Sequence, residues 1–339
     1  MKKSFAIAVF ASFLLALSLS AQTANHPSKT VTAPLNWILT DIPAGPLLGQ
    51  IICGPNSTVY LRRESPNENA FESAITEISF AGKSNTISPN EGTGLQGRVI
   101  FSAFNTDSSG NLYAIANSSR EAEHSYLLAY NKDGHFVWKS SLRQPIHASF
   151  VLPLNDNRFL ISGTLPSKAG QRLQSVTSIF DDGGNELKSL KLSDDDASQS
   201  QDPQSSIFFN PTIQLGDAKV GRDGSIYLLK ASPEPTVLVI DGEGTILRTL
   251  KLKPPAEKAQ AYDFFIGRRG IAIAYSPAQE SQQLLNADLA LYNSETGAIV
   301  QMYSTSVHGI LACMEDDSLI YMGPTPDHKN YRLGRTPLP

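Results

Sequence analysis

Residues 217–229 read Asp-Ala-Lys-Val-Gly-Arg-Asp-Gly-Ser-Ile-Tyr-Leu-Leu: an apolar approach, a tight polar turn, then a short strand centred on an aromatic residue. A second apolar run follows at Thr236–Ile240, then the turn Asp241-Gly-Glu-Gly244 and a third run at Thr245–Leu252. Asp, Asn and Gly supply the positive φ values that short hairpin turns require. The stretch therefore spells four short strands joined by turns.

The same grammar recurs along the chain. Phe101 leads to the turn Asp107-Ser-Ser-Gly110, then Asn111–Ile115, Tyr126–Tyr130, the turn Asn131-Lys-Asp-Gly134 and His135–Leu142. The first turns of successive copies begin near 54, 107, 155, 221, 267 and 315, at intervals of 53, 48, 66, 46 and 48 residues. A period near 48 with four strands per unit is the arithmetic of a β-propeller blade. Separate sandwiches would leave no such period. The expected fold is all-β: one six-bladed propeller of four-stranded blades over residues 22–339. The last copy ends after three strands, and Leu35–Thr40 is a strand without a copy of its own. That N-terminal strand is expected to complete the last blade and close the ring, removing the edge that an open sheet exposes.

The Gly-Arg-Asp-Gly-Ser-Ile-Tyr-Leu run, followed by Val-Leu-Val-Ile-Asp-Gly-Glu-Gly-Thr-Ile-Leu-Arg, resembles the NHL-type and related six-bladed repeats of exported bacterial proteins. The likeness is close over 217–252, fair over 101–142 and weaker elsewhere. His135-Phe-Val-Trp-Lys139 is also similar to the Trp-bearing strand of quinoprotein-type blades, though no other copy carries that Trp. Such families include lactonases, lyases and binding scaffolds, so the resemblance implies a fold and not a chemistry.

Lys2 and Lys3, the apolar run Phe5–Leu19 and the small residues after it have the layout of an export signal peptide spanning 1–21. The run is shorter than the roughly 20 residues that a bilayer demands. The expectation is a periplasmic or secreted protein with no membrane anchor after cleavage. In such a compartment the chain's two cysteines, Cys53 and Cys313, are a candidate disulfide, and ring closure makes their strands neighbours at the seam. With 28 Lys and Arg against 32 Asp and Glu, the formal charge of −4 excludes a globally basic nucleic-acid binder.

Propellers bind ligands at the mouth of the central channel, where the inner strands begin. Aligning the copies puts Gln50, Ser102, His147, Asp217, Tyr262 or Asp263, and His308 near that rim. Two imidazoles with Asp217 or Asp263 between them could serve as general acid and base or hold a divalent ion, although His147 and His308 face each other across the ring. Sugar-lactonase-like propellers carry Glu, Asn and Asp around a channel calcium. Here no rim position offers Glu, and Asn105 and Asn155 fall in or near turns, so that resemblance fails in two parts. The turns at Asp107, Asp181 and Asp241 lack the alternating oxygen ligands and bidentate Glu of a cation loop and read as hairpins. No metal site is assigned, and no cofactor is named.

Residues 193–206, rich in Asp, Ser and Gln, form a polar insertion between the third and fourth blades and are expected to be flexible. Phe208 and Phe209, just after it, offer a binding platform if one of them reaches the rim. The leading expectation is a binding module for a small ligand, a peptide or a protein partner at the channel face. The alternative is a lactonase-like, metal-dependent hydrolase or lyase built on His147, Asp217, Asp263 and His308. The sequence leaves open whether the protein is an enzyme.

Overall fold

A computed structural model of the chain describes residues 28–32, 34, 36–43, 47–64, 73–120, 124–165, 174–190, 218–230, 235–255, 259–276, 288–305, 310–315 and 317–339. Their strands form six sheets. Two N-terminal strands, β1 (Ser28–Val31) and β2 (Trp37–Pro43), precede the repeats. The first blade holds β3 (Leu47–Cys53), β4 (Val59–Glu64), β5 (Ser73–Ile78) and β6 (Ser84–Ile87). The second holds β7 (Val99–Thr106), β8 (Leu112–Ser118), β9 (Ser125–Tyr130) and β10 (Phe136–Leu142). The third holds β11 (His147–Pro153), β12 (Arg158–Leu165), β13 (Gln174–Asp181) and β14 (Glu186–Ser189). The fourth holds β15 (Ala218–Val220), β16 (Ile226–Lys230), β17 (Thr236–Ile240) and β18 (Ile246–Lys251). The fifth holds β19 (Gln260–Gly267), β20 (Gly270–Ser276), β21 (Asp288–Tyr292) and β22 (Ile299–Thr305). The sixth holds β23 (Ile310–Glu315), β24 (Ser318–Pro324) and β25 (Asn330–Pro337).

Within each repeat, consecutive strands pair antiparallel in chain order. Each inner strand lies against the next around the ring, from β3 through β7, β11, β15, β19 and β23 and back to β3. The ring is a six-bladed propeller. The sixth blade is completed by β2, which pairs antiparallel with β25 through Trp37↔Gly334, Ile38↔Leu333 and Leu39↔Arg332. The strand expected at Leu35–Thr40 thus runs Trp37–Pro43. Its neighbour β1 lies parallel on β22, from Ser28↔Met302 to Val31↔Thr305, making the fifth sheet five-stranded. The sequence reading did not foresee β1.

The core lies between the blades. Ile52, Tyr60, Ile75 and Ile87 of the first blade pack with Phe101, Phe104, Ala114 and Leu128 of the second, and comparable clusters join each following pair. The seam cluster joins the fifth, sixth and first blades and takes in Val31 and Ile42 from the N-terminal strands. Each buried aliphatic of this kind contributes about 1.5–3 kcal/mol.

The turns hold their shape by spending carboxylates and amides on their own backbone. Asp107 Oδ1 accepts the N–H groups of Ser109 and Asn111 at 2.8 and 2.9 Å, and Asp241 Oδ1 those of Glu243 and Thr245 at 2.9 and 2.8 Å. Gly110 and Gly244 close these turns at φ 87° and 73°. They are hairpin turns.

A second regularity appears only in the register. On the outer strands of blades two to five, one residue is extra against its partner strand: Val137, Leu187, Leu247 and Val300. Each stands three residues after its turn glycine, and each is about half exposed. A bulge at this point turns an aliphatic side chain out to solvent.

Candidate channel site

The inner strands carry their own bulges. Ser102 on β7, Ser149 on β11, Tyr262 on β19 and Ala312 on β23 are each the extra residue against the second strand of their blade. On β3 the register slips between Leu47 and Ile51. Five blades therefore break their inner strand. In blades two, three and five the break falls at one tier, with Ala103, Phe150 and Asp263 each four residues before the residue that closes the turn (Asp107, Leu154 and Gly267). In blades one and six it lies nearer the turn. A bulge re-aims the residues beside it. Arg62 supports the tier from the first blade, donating to the carbonyls of Phe101 and Ser102 at 2.6 and 3.2 Å.

This register sets the rim residues at different heights. Ser102 and Tyr262 occupy equivalent positions, whereas His147 precedes the matching Ser149 by two residues. His147 is the first residue of β11 and is exposed. Tyr262 is described in its backbone alone. Asp217, His308, Phe208 and Phe209, like the insertion 193–206, lie outside the described residues.

The residue after the bulge is Ile51, Ala103, Phe150 or Cys313 in four blades and Asp263 in the fifth. A carboxylate thus stands at the height where blades two and three place Ala103 and Phe150, both buried in the core. Asp263 is half-buried, and its Oδ1 accepts the N–H of Phe264 at 2.7 Å. Burial pushes its pKa up to about 6, against the opposing pull of the Lys219 ammonium on the adjacent inner strand β15 and of the Phe264 hydrogen bond. Sequence reasoning named Asp263 but passed over Lys219, whose place beside Asp263 follows from blade adjacency and not from any local motif.

At the seam, Cys53 on β3 and Cys313 on β23 form a disulfide with Cα atoms 5.9 Å apart, within the range such a bond requires. Among the described residues, no three side chains of His, Cys, Asp or Glu gather closely enough to hold a metal ion. The two remaining members of the proposed acid–base set, Asp217 and His308, are outside those residues. The site's described chemistry is a carboxylate and an ammonium on neighbouring inner strands.

No protein-family model matches the chain, and no curated protein matches it. Solved structures do. A protein of unknown function from Dyadobacter fermentans superposes with a TM-score of 0.52 at 10% identity, over 90% of this chain and 99% of its own. The PQQ-bound aldose sugar dehydrogenase of Streptomyces coelicolor gives 0.47 at 10% identity, over 91% of this chain and 99% of its own. The β-propeller domain of the trilobed protease of Pyrococcus furiosus, described as having an open velcro topology, gives 0.44 at 12%, over 85% and 78%. At such identities the likeness is one of fold.

Proposed function

We propose that this protein is an exported binding propeller whose channel tier takes a small ligand carrying a cationic or hydrogen-bond-donating group. One observation carries the reading: Asp263 follows the inner-strand bulge at a height where blades two and three place the apolar Ala103 and Phe150. A half-buried carboxylate there weakens the fold at neutral pH, and residues that break a structural rule at such a cost concentrate at functional sites. Lys219 beside it makes the tier bipolar, suited to a ligand with both charges or with several hydroxyl groups. Export is supported by the signal-like N-terminus and is in keeping with the Cys53–Cys313 disulfide.

The test is a thermal-shift panel of small amines, amino acids and sugars against the mature protein and its Asp263→Asn variant. Stabilisation by an amine-bearing ligand that disappears in the variant supports the reading. Ligands that stabilise both proteins equally remove Asp263 from the site. Elemental analysis addresses the hydrolase alternative: about one equivalent of tightly held metal, lost on changing His147 or His308 to Ala, would put that alternative ahead.

A further inference from the structure

On the second strand of each blade, the residue four places beyond the end of the first turn is kept out of water. In blades two to six it is Ile115, Ser162, Leu229, Ala274 and Met322, each 0% exposed and all but Ser162 apolar. In the first blade that place belongs to Arg62. Burial works against the guanidinium's charge and draws its pKa down. A cation held where the repeat takes an aliphatic group breaks the structural pattern, as Asp263 does, and such breaks concentrate at functional sites.

Arg62 reaches the wall of the channel. Its Nη1 donates to the Phe101 and Ser102 carbonyls of β7, and from the same blade Ser73 Oγ accepts the Phe101 N–H at 2.7 Å. Phe101 thus turns its backbone groups to the first blade, on the edge of β7 that β8 does not cover. In an innermost strand that edge borders the channel. The height matches as well: Ala274, the fifth blade's counterpart of Arg62, pairs in register with Asp263. Strands β7 and β19 are the second and fifth of six inner strands, so they face each other across the ring. The tier carries a cation at one wall and a carboxylate at the wall opposite.

We infer that the ligand of this site is a zwitterion that spans the channel, with its ammonium group at Asp263 and its carboxylate at Arg62. The inference rests on the reading of Asp263 as a binding residue and adds the second anchor. A guanidinium is the side chain best matched to a carboxylate, since its planar fork presents parallel N–H donors. Lys219 already answers Asp263 on its own side of the ring, so the opposite wall is where a second, anionic end of the ligand gains most. Arg62 is then a specificity-determining residue, selecting amino acids over simple amines.

The probe is a series of ω-amino acids from glycine to aminohexanoate, each paired with the amine of equal length that lacks the carboxylate, titrated calorimetrically against the mature protein. At one chain length the amino acid should bind about tenfold or more tightly than its amine. Arg62→Met, which gives the first blade the sixth blade's residue, should bring the two to equal affinity, and Arg62→Lys should keep part of the difference. Asp263→Asn should weaken amine and amino acid alike. If Arg62→Met lowers the urea midpoint but leaves the ratio of the two affinities as in the parent, Arg62 only supports β7 and the inference falls. It falls also if Lys219→Met, and not Arg62→Met, removes the difference. Amines that bind through Asp263 with no gain from a carboxylate at any length overturn it while the reading of Asp263 stands. If neither amines nor amino acids bind, both fall together.

Discussion

Ser57 donates both its backbone N–H, at 3.2 Å, and its hydroxyl to the carboxylate of Glu315, across the seam between the first and sixth blades. Arg335 completes the set, donating to Ser57 Oγ at 3.2 Å and lying 3.8 Å from the Glu315 carboxylate. Ser57 reaches this position from a turn in which it and Asn56 both hold left-handed φ, 60° and 59°. Backbone of that kind is retained where its surroundings over-determine it. Glu315→Ala should cost about 1–3 kcal/mol in urea unfolding, because it leaves the Ser57 donors and the Arg335 charge without their acceptor. A double-mutant cycle with Arg335→Ala should show strong coupling, and additive losses would mean that the three groups act separately.

The disulfide ties the same seam over a sequence separation of 260. In the chain-entropy model so long a loop corresponds to at most about 5 kcal/mol of stabilisation, and commonly less. Replacing both cysteines by Ser should lower the denaturation midpoint, and reductant should lower that of the parent alone. Thiol titration of the unfolded, unreduced protein should find no free thiol.

Asp263 predicts the opposite sign to an ordinary paired carboxylate. Its folded pKa, about 6, lies above the unfolded value near 3.8. The folded state therefore binds the proton more tightly, and this group's contribution to stability falls as pH rises from about 4 to 6 and stays low above that. Asp263→Asn should raise stability at pH 8 by roughly 1–2 kcal/mol, with the gain shrinking toward pH 4. Thermal melts across that range check it. A variant less stable at pH 8 would mean that Asp263 is structurally paired.

The propeller was legible because its period is written in turn residues, and the turn chemistry demands Asp, Asn and Gly where they stand. The closing strand at Trp37 and the cysteine pairing followed from counting strands. Strand β1 was not legible: Ser28-Lys29-Thr30 are exposed, and only Val31 reaches the core, so no alternation marks it. The bulges were hidden for a different reason. An extra residue shows itself only against the partner strand, which is why His147 and Ser102 aligned in sequence but differ in register.

Val31 gives β1 its own test. It is 1% exposed within the seam cluster and pairs in register with Thr305 of β22. Val31→Asp should destabilise by several kcal/mol, since it buries a charge, whereas Thr30→Asp should be near neutral. Equal tolerance of both, read from denaturant midpoints, would show that β1 contributes nothing to the fold.

Gly163 faces the bulge of the third blade so closely that a Cβ there would lie 2.3 Å from the His147 carbonyl oxygen and 2.7 Å from Ala148 Cα. Both are backbone atoms and cannot rotate aside. Gly163→Ala should cost about 1–3 kcal/mol. A substitution tolerated without loss would mean that this stretch of β11 is free to shift.

The closure by β2 has a consequence in time. Trp37, Ile38 and Leu39 pair with residues 332–334, so among the described strands the second to be synthesised must wait for the last. Each earlier blade can consolidate on its neighbour as it emerges, yet the sixth has no outer strand until the chain has come nearly full circle. Contacts of such sequence separation are slow to form, and unpaired edges invite wrong partners meanwhile. Refolding should therefore show an early phase that builds blade interfaces and a late one, removed by deleting residues 28–43, in which the ring shuts.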